Sequence, residues 1–323
     1  MNYDSKEYLP DSEERIKRLQ KIVNGRPVAI LAAGPSICEL EDRICELRHA
    51  DICYFGLNNF FVQEKHVLGQ INKNMSVVMG ICRDGIPEAI RDVVDFLNRD
   101  EDNMFISTFV NYDTFGLLDE SFSLEQFIRQ YDRKLLSVKV EPDRIIPNAD
   151  YPLYFTVSNS LLPLIQMALI GKASSIVLFG TDGHCGENPE RYYYRQNEYN
   201  PQNVPNIDLY LVQDTKLFFN PVAATAIRNT RRTYDLAPVN ILNCSLGSFY
   251  TPFPKVSYDD ALEYLLTGKK LIGKLDLRVP AKPKMPNKCL LAIEKVINFW
   301  KKHRWSSFKV ITVRVWRKEI REK

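Results

Sequence analysis

The chain has 323 residues, 45% apolar and 26% charged, enough to bury the core of one large α/β domain or of one domain with an appendage. Its net charge of +3 hides an asymmetry, because residues 278–323 carry 14 Lys/Arg against 3 Asp/Glu, a balance of +11 that leaves the first 277 residues at −8. An acidic main domain argues against a nucleic-acid enzyme, no run of about 18 apolar residues offers a membrane-spanning helix, and the opening residues lack the apolar stretch of a secretory leader.

In chain order, the first expected element is a helix within residues 1–26. Ser12 stands as its N-cap, Ile16, Leu19, Ile22 and Val23 form its apolar stripe, and Asn24-Gly25 ends it. Pro27-Val28-Ala29-Ile30-Leu31 is a short continuous apolar run, the pattern of a strand buried on both faces of a parallel sheet. Gly34-Pro35-Ser36 then turns the chain into a helix with Ile37, Leu40, Ile44 and Leu47 on one face. Residues 51–56 and 75–81 read as the second and third strands, 87–97 as a helix with Pro87 near its start, and 105–110 as the fourth strand. Residues 111–153 have weak periodicity and several turn signals, and are expected to be an insertion over the sheet, either a lid or plain surface elaboration.

A helix over 158–170, stopped by Gly171, leads into the apolar strand 175–179 and the turn Gly180-Thr181-Asp182-Gly183. After a polar, Tyr-rich stretch at 186–215 come a helix at 218–232, a strand at 239–242 followed by Asn243-Cys244-Ser245, and a short helix at 257–266. Strands alternating with helices predict an α/β fold with a doubly wound, mostly parallel, Rossmann-like sheet over residues 27–278. Pro280, Pro283 and Pro286 make 279–287 an extended linker. In the tail, 288–323, basic residues alternate with Leu290, Leu291, Ile293, Val296, Ile297, Phe299, Trp300 and Trp305. This is the pattern of a basic amphipathic C-terminal helix, lying on an anionic bilayer or docked on the domain with its charges in water. The seven cysteines show no C-x-x-C spacing and no histidine at zinc-finger distance, so they read as small hydrophobes in a reducing compartment, with no structural metal.

In an open parallel sheet, ligands sit at the carboxyl ends of the strands, where Gly34-Pro35-Ser36, Asn58, the 180–183 turn and Asn243-Cys244-Ser245 all fall. Gly34 allows close backbone approach, and Ser36 opens a helix whose free N–H groups suit a phosphate, although Gly-Pro-Ser is also an ordinary turn and cap. Walker A and G-x-G-x-x-G sequences are absent. Asn58 has donor and acceptor capacity for a base or ribose, or simply turns the chain. Asp182, between two glycines, has four readings: orienting a sugar, holding Mg²⁺ with phosphate, acting as a base, or capping its own turn. His184 is either a second candidate base or a surface-loop histidine. Tyr192, Tyr193 and Tyr194 offer rings and hydroxyls, and Arg195 a charge for a diphosphate.

The order of these motifs resembles the superfamily that joins MptE-like proteins, flagellin-modifying motility accessory factors and the family 42 bacterial sialyltransferases. Asn243-Cys244-Ser245 through Phe253-Pro254 into Ala261-Leu262 is similar to the C-terminal motif of the MptE-like group. The resemblance implies a CMP-sugar over Gly34, Pro35, Ser36 and Asn58. It also implies a helix-entry serine at Ser160 or Ser158, beside Asn159, and donor phosphate and sugar near Gly180, Thr181, Asp182 and the tyrosines, with Asn243 and Ser245 completing the rim. Two positions depart from it. The Asn that precedes the Gly-Pro-Ser turn in the family is Ala33 here, and no histidine lies between His184 and His303 to match the downstream catalytic His of the sialyltransferases. His184 or a carboxylate would take that place.

The expectation is a glycosyltransferase-type enzyme that uses a nucleotide-activated sugar, such as a CMP-linked nonulosonate, to modify a cell-surface glycan or protein. Its basic tail would hold a cytoplasmic protein at the inner face of the membrane, near a glycolipid acceptor. It would need no cofactor. The alternatives are an MptE-like pyrophosphokinase using ATP and Mg²⁺, with Asp182 on the metal, and a non-catalytic nucleotide or glycan binder. No nucleic-acid partner is expected, and self-association is left open.

Overall fold

The computed structural model describes residues 12–57, 67–80, 87–99, 102–107, 124–137, 160–184, 212–269 and 271. Asn58, Ser158, Asn159, Tyr192, Tyr193, Tyr194 and Arg195 lie outside these residues, as do the linker 279–287 and the tail 288–323. The chain divides into two units at Pro280, and the second, Ala281–Lys323, falls wholly among the residues not described.

Seven parallel strands form one sheet: β1 Val28–Leu31, β2 Cys53–Leu57, β3 Met75–Met79, β4 Met104–Ser107, β5 Leu135–Ser137, β6 Ile176–Phe179 and β7 Ile241–Asn243. Their spatial order is β5-β4-β3-β2-β1-β6-β7. The chain therefore builds outward from β1 on one side, returns, and builds outward on the other. This is a Rossmann-like doubly wound sheet with its topological switch point between β1 and β6. Around it stand α1 Ser12–Val23, a 3-10 helix Pro35–Arg43 running into α2 Ile44–His49, α3 Val67–Ile71, α4 Pro87–Arg99, α5 Leu124–Tyr131, α6 Leu161–Ile170, α7 Asn220–Thr233 and α8 Tyr258–Thr267.

The continuous apolar runs follow from burial on both faces. Successive strand side chains point to opposite sides. Val28, Ile30, Phe55, Ile176 and Leu178 enter a core with α1, α6 and α7. Ala29, Leu31, Tyr54, Val177 and Phe179 enter the other, with the 3-10 helix, α2 to α5 and α8. Every residue of α6 is buried, so it is apolar nearly all round, with Pro163 in the first turn where its missing N–H costs no helical bond. Its one polar residue, Gln166, donates from Nε2 to Thr230 Oγ1 at 2.8 Å on α7, and Thr230 Oγ1 donates in turn to the Ala226 carbonyl at 2.9 Å.

Residues 111–153 are not merely an insertion over the sheet. They supply α5 and the edge strand β5, whose Leu135 and Leu136 enter opposite cores. Arg15 of α1 fixes this corner from inside: it is 4% exposed, bonds to the Asp132 carbonyl, donates to the Leu135 carbonyl at 2.9 Å and pairs with Asp132 Oδ1 at 2.6 Å. The element after Gly34 also differs from expectation by opening as a 3-10 helix, with Ile37 N–H donating to the Gly34 carbonyl at 3.1 Å. Ile37, Leu40, Ile44 and Leu47 are all buried in one core nonetheless.

Candidate functional site

The strands next to the switch point, β1 and β6, end in Gly34-Pro35-Ser36 and in the 180–183 turn, and the two turns are bonded together. Ala32 N–H donates to Phe179 O at 2.9 Å, extending the ladder, and Gly34 N–H donates to Gly180 O at 2.9 Å. Both glycines are dictated by this approach. A Cβ on Gly34 would lie 2.1 Å from Asp182 Oδ2 and 2.4 Å from Gly180 O. Gly180 has φ +65°, and its Cβ would lie 2.3 Å from Ala32 O.

At the meeting point Asp182 Oδ2 accepts from Ser36 N–H at 3.1 Å and from Ser36 Oγ–H at 3.0 Å. Ser36 Oγ also lies 2.7 Å from Ser245 Oγ and 2.9 Å from Tyr258 OH. The Tyr258 hydroxyl accepts from Gly180 N–H at 2.9 Å, which leaves its own proton for Ser36 Oγ. Four groups from four chain segments thus share one network: Ser36 after β1, Asp182 after β6, Ser245 after β7, and Tyr258 at the start of α8. Ser257 sets that start as the N-cap, its Oγ accepting from Asp260 N–H at 3.2 Å.

The electrostatics follow from depth. Asp182 is 5% exposed, and burial pushes its carboxyl above the usual 3.8, against the opposing pull of the Ser36 N–H and hydroxyl, the nearby His184 charge and the Ser245 hydroxyl. Burial, followed by the charge of Asp182, drives the Tyr258 phenol well up. Glu39 is raised by burial and then by the charges of Asp182 and Asp259, so this side of the site is electronegative. Its nearby cation, Arg43, is engaged with Glu46 at 2.5 Å and Asp259 at 3.0 Å.

Thr181 and Asn243 brace the site from beneath. Asn243 is 0% exposed. Its Oδ1 accepts from Thr181 Oγ1 at 2.8 Å and from Ser245 N–H at 3.0 Å, and its Nδ2 donates to Ser248 Oγ at 3.0 Å. Ser248 Oγ donates to the Thr181 carbonyl at 2.6 Å, so the 181 and 243–250 segments are locked together. Through these bonds both residues hold the 180–183 turn and Ser245 in position. His184 is half-buried, its ring meeting Phe249 edge-on at 5.3 Å. Phe249 N–H donates to the Asp182 carbonyl at 2.9 Å, which ties the ring to the same turn. Ser160 sits at the N-cap of α6 with no capping side-chain bond.

The sequence leads to an expectation of a cleft where the turns converge. Among the described residues that point carries the hydrogen-bonded network. A groove of about 780 Å³ lies along the outer edge of β7 between α7 and α8, lined by Ile227, Arg228, Ile241, Phe253 and Tyr264 among others, and it includes none of the candidate residues of the strand-end turns. At the opening of the helix, the expected phosphate seat, the Asp182 carboxylate accepts the Ser36 N–H. Sequence reasoning missed Tyr258, because the direction of one hydroxyl depends on where α8 docks. It also missed a π-helical turn, Asp214–Phe219, just before α7. That turn brings Thr215 against Gly183, where a Cβ would lie 2.9 Å from Thr215 Oγ1, and sets Lys216 Nζ 4.5 Å from the centre of the Phe249 ring. One-turn π segments recur at functional sites, but the added residue leaves no mark on apolar periodicity. Among the described residues no group of three or more His, Cys, Asp and Glu side chains is gathered as for a metal ion. No family model, no curated protein and no solved structure matches the chain.

Proposed function

We propose that this protein is a transferase that takes a sugar from a nucleotide-activated donor to a hydroxyl acceptor. The observation that carries the reading is the convergence of Ser36, Asp182, Ser245 and Tyr258 on the switch point of a doubly wound sheet, the place where such sheets take nucleotides. The motif order of the family 42 sialyltransferases and MptE-like proteins supports it. In this reading His184 takes the proton of the acceptor hydroxyl as the acceptor oxygen bonds to the sugar carbon. The bond from that carbon to the phosphate oxygen breaks, and the nucleotide leaves with the electron pair. Asp182 is the less suitable base, because Oδ2 already accepts two hydrogen bonds. The basic tail, in the same proposal, holds the enzyme at an anionic membrane beside its acceptor.

A melting-temperature panel of CMP, UDP, GDP and ATP, each with and without Mg²⁺, tests the reading. A nucleotide at about 100 times its Kd adds ~2.7 kcal/mol to the folded state. Stabilisation by CMP without metal is the expected result. Stabilisation by ATP alone, and only with Mg²⁺, would replace the reading with a pyrophosphokinase, and no shift with any nucleotide would end it. For the tail, the chain cut at Pro280 is expected to lose binding to phosphatidylserine-containing vesicles; equal binding by both chains refutes the membrane role.

A further inference from the structure

Among the described residues β7 ends the sheet, and its outer edge is only half paired. Ile176 N–H donates to the Asn240 carbonyl at 2.8 Å and Cys244 N–H to the Leu178 carbonyl at 3.0 Å, so residues 240, 242 and 244 turn their main chain toward β6. Ile241 and Asn243 therefore turn theirs outward. Asn243 is satisfied there: its N–H donates to the Pro254 carbonyl at 2.9 Å, and its carbonyl accepts from Val256 N–H at 3.1 Å. Among the described residues nothing bonds the outward N–H or carbonyl of Ile241. An open strand edge of this kind is a template for another strand.

The edge is the floor of the groove of about 780 Å³, and the two walls differ. Ile227 of α7 packs toward the core that holds α1 and α6, whereas Tyr264 of α8 and Leu271 pack toward the opposite core. The α7 wall also carries Arg228 and Arg231. Among the described residues neither guanidinium has a carboxylate or other acceptor, and Arg231 Nε is buried without one. A buried donor left without an acceptor is destabilising, and a bound carboxylate would satisfy it. Successive side chains of an added strand point to opposite faces, so they would meet the arginine wall and the Tyr264–Leu271 wall in turn.

We propose that the β7 edge docks an extended peptide of a partner protein, one that alternates acidic with apolar residues. Its main chain pairs with Ile241, its carboxylates meet Arg228 and Arg231, and its apolar side chains lie against Tyr264 and Leu271. A free organic anion would satisfy the arginines but leave Ile241 unpaired. None of Ser36, Asp182, Ser245 and Tyr258 lines this groove, and the proposal does not depend on the transferase reading.

Fluorescence anisotropy of the full chain tests this with labelled short peptides: alternating Val and Glu, alternating Val and Lys, and two Val/Glu forms N-methylated at the Val or at the Glu positions. The Val/Glu peptide is expected to bind about tenfold more tightly than Val/Lys. The first 277 residues carry a net charge of −8, so attraction by the domain as a whole would favour Val/Lys, and the opposite preference reports the two arginines. Alternate N–H groups of a strand point to opposite edges, so one N-methylated form should lose about tenfold in affinity and the other should keep it. Replacing both arginines, Arg228→Gln with Arg231→Gln, should bring Val/Glu binding down to the level of Val/Lys. No binding, equal binding of Val/Glu and Val/Lys, or an equal response to both N-methylated forms overturns the proposal. So does a concentration-dependent dimer of the full chain in sedimentation that becomes monomeric in the double variant, since the edge would then pair with a second copy.

Discussion

Replacing Gly34 with alanine tests the joint between the two site turns most directly. The new Cβ would sit 2.1 Å from Asp182 Oδ2 and 2.4 Å from the Gly180 carbonyl, where comfortable separation is roughly 3.5 Å. Neither neighbour is the loose end of a flexible chain. Gly180 O is part of the backbone just beyond β6 and accepts the Gly34 N–H itself, and Oδ2 is held by two donors on Ser36. Relief requires the turns to part by about 1 Å, which stretches all three bonds. One neutral bond contributes about 1 kcal/mol and the two charged ones somewhat more, with overpacking strain in addition, so the expected loss is about 3–6 kcal/mol. At about 2–4 °C per kcal/mol for a protein of this size, the melting temperature should fall by roughly 10 °C. Gly247→Ala is the matched control: its Cβ meets only His184 Nε2, at 3.9 Å, and its melting temperature should stay close to wild type. Differential scanning calorimetry of the three proteins decides the matter. A Gly34→Ala variant melting within about 2 °C of wild type would show that the two turns do not touch.

Arg15→Leu strips the Leu135 carbonyl and Asp132 of their partner while the space stays filled, so urea unfolding should report a loss of about 1–3 kcal/mol, although a position in Glu-Glu-Arg looks like solvated surface. Thr230→Val leaves Gln166 Nε2 without its acceptor, in a side chain whose Oε1 already lacks a partner, and should cost about 1–3 kcal/mol; adding Gln166→Met should recover most of that loss in the same assay. Asp182→Asn should change the pH dependence of stability. Because burial lifts the folded pKa above the ordinary 3.8, the native state holds the extra proton, and wild type loses stability as pH rises from about 4 through the folded value. The stability of the variant relative to wild type should therefore increase over that range. A constant difference in urea midpoints between pH 4 and 7 would count against the raised pKa.

What could be read from sequence and what could not divides along a physical line. β1 and β6 were legible because both of their faces are buried, so every position in Val28–Leu31 and Ile176–Phe179 is apolar and the glycines after them mark where they stop. β5 was not: three residues, Leu135–Ser137, carry too little pattern, and the strand is secured by Arg15, 120 positions away in sequence. The same contrast runs through the site. Ser36 and Asp182 were found because they lie directly beyond recognisable strands. Tyr258 and Lys216 were not, since one depends on how α8 packs beside Phe179, with ring centres 5.3 Å apart, and the other on a π-helical turn.

The same line separates two chemical roles. The residues readable from sequence are those fixed by the sheet, and in the folded protein they turn toward one another: the Ser36 hydroxyl and N–H spend themselves on Asp182, and Thr181 on Asn243. A group so engaged orients its neighbours but has little capacity left for a charged ligand. Lys216 before α7 and His184 beyond the 180–183 turn come instead from segments that pack around the rim, both against Phe249. The sheet thus supplies the rigid base of the candidate site. Substitutions at Ser36, Thr181 and Asn243 should therefore register chiefly in stability rather than in ligand binding. Measuring both quantities on each variant separates the two roles, and an Asn243→Ala protein that melts normally yet binds no nucleotide would contradict the division.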